Sequence, residues 1–562
     1  MTATTPQDAS RTSRRPADGD HCTLAGRAFH LIGIGGAGMS VVAQLLAARG
    51  AQVSGSDAHG GPAFDHLADL GITTHLGHDA ANVPERSTVV VSTAIKETNP
   101  ELAEARRRGQ DVIHRSQALA LAAQGLDFVA VAGAHGKTTT SGMLAEALTE
   151  AGADPSFAIG GVVRALGTGA HLGSGPALVA EADESDRSFL NYSPRVEIVT
   201  NVEPDHLDSY GTAEAFETAF VDFAHRLVPG GLLVACAADA GALRLAQSAA
   251  AEGLRVVTYS FAGPDTLPGG VLVGEGHVHL DIQERGASST RGLLTLTTAA
   301  GREPAGGAGE EPHHGPVELV LAVPGDHVAL DAAGAWAAGI ELGVEPARMA
   351  RALGAFGGTG RRFEDRGEAD GVRVIDDYAH HPTEIEALLR TARRVAGERG
   401  GRVLVLFQPH LFSRTEAFAP RFGAALGLAD EVVVAPVYPA RETQEDFPHV
   451  TGATVADRVP GGARYLADGR AAARLIADEA RRGLKPAMVV VASDDPFDEL
   501  ARASWRLAPA GSVILTAPAG AEGFGSWLEG RGKRAVYVCR GERCFDPVTD
   551  YTELKTPLWH RA

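Results

Sequence analysis

The chain is poor in cysteine: Cys22, Cys236, Cys539 and Cys544 are the only four in 562 residues. So few, so far apart, exclude a disulfide framework and fit a reducing, cytoplasmic compartment. Cys539 and Cys544 supply half of a metal site, but no second Cys/His pair lies near them, so zinc is not expected. Long apolar runs are missing too. No stretch of 18 or more uninterrupted apolar residues occurs, which excludes a membrane-spanning helix. The polar leader carries Arg11, Arg14 and Arg15 without an apolar segment, so it is no secretory signal; residues 1–23 read as a disordered leader. Positive charge is also short. Lys and Arg number 51 against 70 Asp and Glu, a net charge of −19, which argues against a broad nucleic-acid surface. Small anionic ligands need only local positive groups and stay open. What is abundant is glycine, with an apolar content of 44%, the composition of soluble α/β domains. The length suggests three or four of them.

The most informative stretch is an apolar run, Phe128 to Ala132, followed by Gly133-Ala134-His135-Gly136-Lys137-Thr138-Thr139 and an amphipathic segment from Met143 to Leu148. This pattern predicts strand, phosphate loop and helix. Glycines let backbone N–H groups close around a phosphate, the helix N-terminus adds positive potential, Lys137 adds a point charge and Thr138 a hydroxyl for Mg²⁺. The longer phosphate-loop spacing would place glycine at 131, where this chain has valine, so this is a shorter Gly-x-x-Gly-Lys-Thr form.

Upstream, a strand from Ala28 runs into Gly33-Ile34-Gly35-Gly36-Ala37-Gly38 and a helix from Met39; a second strand ends at Asp57. Glycines for close approach to a pyrophosphate and an acid for a ribose make a nucleoside-diphosphate cradle. A dehydrogenase reading of that fingerprint leaves Gly136-Lys137-Thr138 unexplained. Further strand and helix patterns complete a unit of about one hundred residues with an open parallel sheet.

Beyond the phosphate loop, two apolar strands run into acidic loops: Glu181-Ala-Asp-Glu-Ser-Asp186, and Asn201-Val-Glu-Pro-Asp-His-Leu-Asp208. Acids at strand ends on the edge of a phosphate-loop domain are where Mg²⁺ ligands belong. His206 inside the second loop reads as a ligand rather than as core packing. Residues 262–316 are rich in Gly, Pro and polar residues and read as hairpin strands interrupted by a mobile insertion, with His313 and His314 on its surface. A third β/α unit follows. Its strands end at Asp376-Asp-Tyr378-Ala-His380-His-Pro-Thr-Glu384, at Gln408-Pro-His410-Leu-Phe-Ser-Arg414, and at Pro436-Val-Tyr438. Capping chemistry explains one such loop but not three.

Taken in order, Ile34–Ser40, Gly133–Thr139, Glu181–Asp186, Asn201–Asp208, Arg361-Arg-Phe-Glu364, Asp376–Glu384 and Phe407–His410 resemble the motifs of the Mur ligase family. The likeness is to its branch that joins L-alanine to UDP-N-acetylmuramate. It implies three α/β domains: a Rossmann-like, UDP-substrate-binding domain at 24–122, a central phosphate-loop ATPase domain at 123–335, and a Rossmann-like, amino-acid-binding domain at 336–484, with an atypical extension at 485–562. It also implies roles. Gly35, Gly36, Ala37, Gly38, Met39, Ser40 and Asp57 would hold the UDP moiety. Gly133, Ala134, His135, Gly136, Lys137, Thr138 and Thr139 would hold ATP, and Thr138, Glu181 and His206 would hold Mg²⁺. Tyr378, His380 and Arg414 would serve the amino acid, and Lys137, His206, His380 and Arg414 would be catalytic. The third domain would have to close over the ATP. The partners implied are small molecules alone, with no nucleic acid and no membrane, and a monomer or homodimer.

Three departures accompany the likeness. Leu411 stands where the family often has Arg. His327-Val-Ala-Leu-Asp331 stands where it usually has His-Asn-x-x-Asn, and Asp331, while ionised, can only accept from an adenine edge. From about Lys485 the chain is more similar to the C-terminal end of YyaL-type proteins, whose other end carries a thioredoxin-like domain, which suggests a last strand lost or supplied by foreign sequence. Two alternatives follow: a related ligase that attaches a recycled peptide to UDP-N-acetylmuramate, and a catalytically weakened nucleotide-binding homologue.

Overall fold

The computed structural model describes residues 23–263, 266, 272–298, 316–369, 371–440 and 442–482, with short strands at 487–492, 513–516, 536–540 and 543–544. The leader 1–22, much of the expected insertion (His313 and His314 included) and most of the expected extension lie outside the described residues.

The first sheet contains β1 (Ala28–Ile32), β2 (Gln52–Asp57), β3 (Thr73–Leu76), β4 (Thr88–Val91) and β5 (Val112–His114). All are parallel, in the order β3-β2-β1-β4-β5. The winding reverses between β1 and β4, so a crevice opens at the C-terminal end of β1, where Gly33–Gly38 lies.

The second sheet holds β6 (Asp127–Ala132), β7 (Ser156–Val163), β8 (Thr168–His171), β9 (Ala177–Glu181), β10 (Val196–Val199), β11 (Leu232–Cys236), β12 (Arg255–Ser260), β13 (Gly276–Arg285), β14 (Thr290–Thr298) and β15 (Val317–Leu321). Their order is β15-β14-β13-β12-β11-β10-β6-β9-β7-β8. β6 sits between β9 and β10, parallel to both, and its buried run explains why it reads as continuous apolar sequence rather than alternation. The glutamate and aspartate clusters after β9 and β10 therefore flank the phosphate loop after β6. The expected hairpin is β13–β14, antiparallel.

The third sheet contains β16 (Glu364–Ala369), β17 (Val372–Asp377), β18 (Arg402–Phe407), β19 (Glu431–Val434), β20 (Arg464–Tyr465) and β21 (Ala487–Ala492), in the order β16-β17-β21-β18-β19-β20. β21 lies beyond residue 484 yet pairs in parallel with both β17 and β18, at the middle of the sheet. A strand from the stretch that the sequence reading set apart as an atypical extension is thus part of the third sheet. Three further short strands, Val513–Thr516, Val536–Arg540 and Arg543–Cys544, pair among themselves.

One continuous apolar core runs through the first two domains, joining Phe29 and Leu45 to Val131 and Phe157. The helix Ala37–Ala48 packs against β7 and β8 and makes that junction. The third domain has its own cores, around Ile375, Leu389 and Phe407 on one face of its sheet and Leu404 and Ile476 on the other. It meets the central domain through polar contacts and through the connector near Thr359, which bridges to Val163.

Candidate active site at the strand ends of three domains

β6 stops at Gly133, whose φ of 136° suits glycine, and Thr200 Oγ1 occupies the space a Cβ would need. Gly136, φ 83°, caps the helix Lys137–Glu150. Between them the loop is held by the end of β10: His135 O accepts from Thr200 Oγ1 at 2.6 Å and from Asn201 Nδ2 at 2.9 Å. Lys137 Nζ donates to Gly133 O at 2.6 Å and to both oxygens of Glu184, at 3.0 and 2.8 Å. Burial works against its charge, yet Glu184 and Asp183 hold the ammonium above the ordinary lysine range. Burial pushes the Glu184 carboxyl up. Thr138 Oγ1 donates to Glu181 Oε2 at 3.1 Å, and Glu181 Oε1 accepts from Gly160 N at 2.7 Å. His206, in the left-handed region at φ 51°, brings Nε2 within 3.8 Å of Glu184 and 3.7 Å of Asp205. The structure thus gathers Lys137, Thr138, Glu181 and His206 as the sequence expected, and adds Glu184 and Asp205. Both lie in the acidic runs, but a run does not reveal which acid turns inward.

The third domain faces this strip. Arg414, buried on the helix Phe412–Leu426, donates to Asp205 Oδ2 at 3.0 Å. Burial alone would raise the Asp205 carboxyl; Arg414 and His206 hold it well below the usual carboxylate range. Arg414 also lies 3.2 Å from His410 Nδ1. His410 stacks on Tyr438 and meets the edge of His380, which meets Tyr378. Tyr378, His380 and Arg414 therefore belong to one aromatic and basic wall. A cavity of about 130 Å³ opens between Asp205 and His206 on one side and Leu411, Arg414, Ala417 and Phe418 on the other. Leu411, at φ 61°, forms an apolar part of its wall.

A larger cavity, about 330 Å³, lies on the other side of the phosphate loop, between His135, Gly136 and Thr139 and the facing His327, Asp331 and Arg362. Burial pushes Asp331 up to about 7 and His327 down to about 4. The accept-only limit holds for the ionised Asp331; burial favours its protonated form, which can also donate.

In the first domain, Gly33 and Ile34 donate to Ser56 O at 2.8 and 2.9 Å. Asp57 takes Gly35 N–H at 2.9 Å, so the acid expected at a ribose also braces the loop itself. The helix starts at Gly36 without a side-chain cap, which leaves first-turn N–H groups for an anion. Met39 and Ser40, expected at the substrate, are buried in the first turns of that helix, and the Ser40 hydroxyl donates to Ala37 O. Arg115 occupies the space where a Cβ on Gly38 would lie and pairs with Asp183. That residue escaped the sequence reading, because its partner lies 68 positions away.

Among the described residues, no three His, Cys, Asp or Glu side chains gather as a self-sufficient metal centre. A hydroxyl and a carboxylate, Thr138 and Glu181, form the paired hard-oxygen donors that suit a cation completed by phosphate oxygens and water.

Comparison with known proteins agrees with this architecture. Residues 28–126 match the Mur ligase catalytic domain, 131–284 the Mur ligase middle domain, and 361–520 the Mur ligase glutamate ligase domain. The chain belongs to the Mur ligase family. Among its relatives, the UDP-N-acetylmuramate–L-alanine ligase of Kineococcus radiotolerans is 54% identical over 81% of this chain and 91% of that protein. The enzyme of the same name from Renibacterium salmoninarum is 51% identical over 76% and 85%. Among solved structures, UDP-N-acetylmuramate–alanine ligase MurC of Thermotoga maritima superposes with a TM-score of 0.65, at 26% identity over 85% of this chain and 98% of that one.

Proposed function

We propose that this chain is an ATP-dependent amide ligase that joins L-alanine to UDP-N-acetylmuramate through an acyl phosphate, in the cytoplasm, during assembly of the peptidoglycan precursor. The observation that carries the reading is the meeting of the Lys137 phosphate loop with the Asp205–Arg414 pair across the central and C-terminal domains, in a chain whose relatives bear that enzyme's name. No helix among the described residues is long and apolar enough to cross a membrane, in keeping with small polar substrates.

In this reading Gly35, Gly36, Ala37 and Gly38 receive the diphosphate of the UDP-linked substrate at the start of the helix Ala37–Ala48. The loop from Gly133 to Thr139 receives the ATP phosphates, and Lys137 exchanges Glu184 for a phosphate oxygen. The adenine lies in the larger cavity, against Asp331 and His327. Thr138, Glu181 and His206 would hold Mg²⁺, which would supply neutralisation of phosphate charge. A carboxylate oxygen of the muramyl group attacks the γ-phosphorus and ADP leaves, while Lys137 stabilises the charge on the transferring group. The amine of L-alanine then attacks the acyl carbon. The phosphate departs with the former carboxylate oxygen, and an amide remains after the amine loses its proton. Arg414 faces the acyl phosphate, with Tyr378 and His380 lining the amine's approach. The cavity of about 130 Å³ beside Arg414 suits a small amino acid with a methyl side chain against Leu411 and Ala417.

Phosphate release with UDP-N-acetylmuramate, MgATP and either L-alanine or a stem tripeptide tests the reading. Turnover with L-alanine is expected. Turnover with the tripeptide alone would point to the peptide-attaching relative, and ATP binding with no turnover would point to a weakened homologue.

A further inference from the structure

We infer that Glu203 is a positioning residue that couples the phosphate loop to the seating of the C-terminal domain. Its carboxylate is met from three elements at once. From the phosphate loop, His135 Nε2 lies 3.5 Å away. From the start of the helix Pro382–Gly397, Thr383 Oγ1 donates at 2.7 Å, and His381 Nδ1 lies at 3.8 Å. From the helix Phe412–Leu426, Arg421 donates to the other oxygen. The rings of His135 and His381 stack across the same junction, with centroids 6.2 Å apart. Burial would raise the Glu203 carboxyl, but this surrounding of donors and cations keeps it ionised.

The arrangement differs in kind from the neighbouring Asp205–Arg414 pair. Those two side chains are 7% and 5% exposed, whereas Glu203 and Arg421 are 18% and 49% exposed. Separating a buried pair strands a charge and is strongly disfavoured; a rim contact is worth little alone and can be made and broken in each cycle. Glu203 is therefore suited to a reversible contact. It is also physically continuous with the nucleotide site. Thr200 and Asn201, three and two residues before it, hold the backbone of His135. A phosphate that rearranges His135 changes how much of the Glu203 charge is left for Thr383 and Arg421. Two elements whose relative position a single carboxylate biases are the physical requirement for such coupling.

The turnover arm of the test rests on the ligase reading; the scattering arm does not. Small-angle X-ray scattering and steady-state kinetics are compared for the full chain and its Glu203→Gln, Arg421→Glu and doubly substituted forms, with and without a non-hydrolysable ATP analogue and Mg²⁺. Arg421→Glu places like charges together. It should extend the molecule and lower kcat about tenfold, while the KM for ATP changes less than about twofold. Glu203→Gln should leave compaction insensitive to the nucleotide analogue. The double variant should be more compact and faster than Arg421→Glu alone, because the repulsion is gone. An Arg421→Glu form as compact and as fast as the parent overturns the inference. So do effects of the two substitutions that simply add, or a KM for ATP that rises in step with the fall in kcat. A parent chain without L-alanine-dependent turnover defeats the ligase reading alone, since the scattering comparison still reports on closure.

Discussion

Removing the Lys137 side chain should separate two consequences that the structure ties to one ammonium group. Lys137 Nζ is bonded to both oxygens of Glu184, which is 1% exposed. In Lys137→Ala that carboxylate loses its ammonium partner and keeps the more distant His206 ring, 3.8 Å away. Breaking a buried pair by removing one partner costs roughly 3–5 kcal/mol. That is an upper value here, because Glu184 can relieve the penalty by taking a proton. Burial already raises its folded-state pKa, and loss of Lys137 raises it further. An acid raised in the folded state contributes stability that is complete below its unfolded pKa and is lost as pH rises through the folded one. The gap in melting temperature between parent and Lys137→Ala should therefore be small near pH 5 and widen toward pH 8. Glu184→Gln in the same background should close most of that gap at pH 8. Turnover should not follow. A preorganised donor at a developing charge is worth about 10²–10³ in rate, and the double variant still lacks it. Calorimetry across pH and a phosphate-release assay on the same three proteins make the comparison. A Lys137→Ala protein with near-parental kcat would refute the role given to the ammonium, and a double variant no more stable than the single would refute the pairing argument.

Asp331→Asn should raise the melting temperature at pH 8 and leave it nearly unchanged at pH 4. The folded pKa of Asp331 is raised to about 7, so its contribution is present at low pH and lost as pH rises through that value; the gain is at most about 4 kcal/mol. The same substitution should flatten any rise in the KM for ATP between pH 6 and pH 8. Arg414→Ala removes the buried cation that pairs with Asp205 and leaves it only the contacts of His206, so the docking of the C-terminal domain should weaken by up to about 3–5 kcal/mol, read as separated unfolding transitions in place of one. Arg414→Lys should restore docking only in part, because the bifurcated guanidinium contact to Asp205 and His410 is lost. Glu181→Gln should raise the Mg²⁺ concentration needed for half-maximal turnover about tenfold, with little change in metal-free nucleotide binding.

The outline of this molecule was legible in its sequence because the central strands of its sheets are buried on both faces. Such strands read as apolar runs, as in β6 and β18, and each is followed by glycine or by a polar cluster that marks the ligand edge. The phosphate loop and the acids after β9 and β10 were found in this way. Residues whose meaning depends on distant partners were not. Arg115 looks like a strand-end residue until Asp183 and the space above Gly38 are seen. Glu203 and Arg421 meet across 218 positions. Which carboxylate in Glu181–Asp186 reaches Lys137 is decided by the turn after β9, and the answer is Glu184. The place of β21 was hidden for a related reason: a strand inserted between β17 and β18 from the far end of the domain leaves no local signal of its neighbours. Met39 and Ser40 belong to the Ile34–Ser40 motif, but which way their side chains turn, here toward the core, could not be read from it.

The central claim, an amide formed through an acyl phosphate, is tested most directly by oxygen transfer. UDP-N-acetylmuramate labelled with ¹⁸O in both carboxyl oxygens, turned over with L-alanine and MgATP, should release inorganic phosphate carrying one ¹⁸O per molecule, with the second retained in the amide carbonyl. Unlabelled phosphate accompanying amide formation would contradict the acyl phosphate, and label-free phosphate released without L-alanine would mark this chain as an ATPase rather than a ligase.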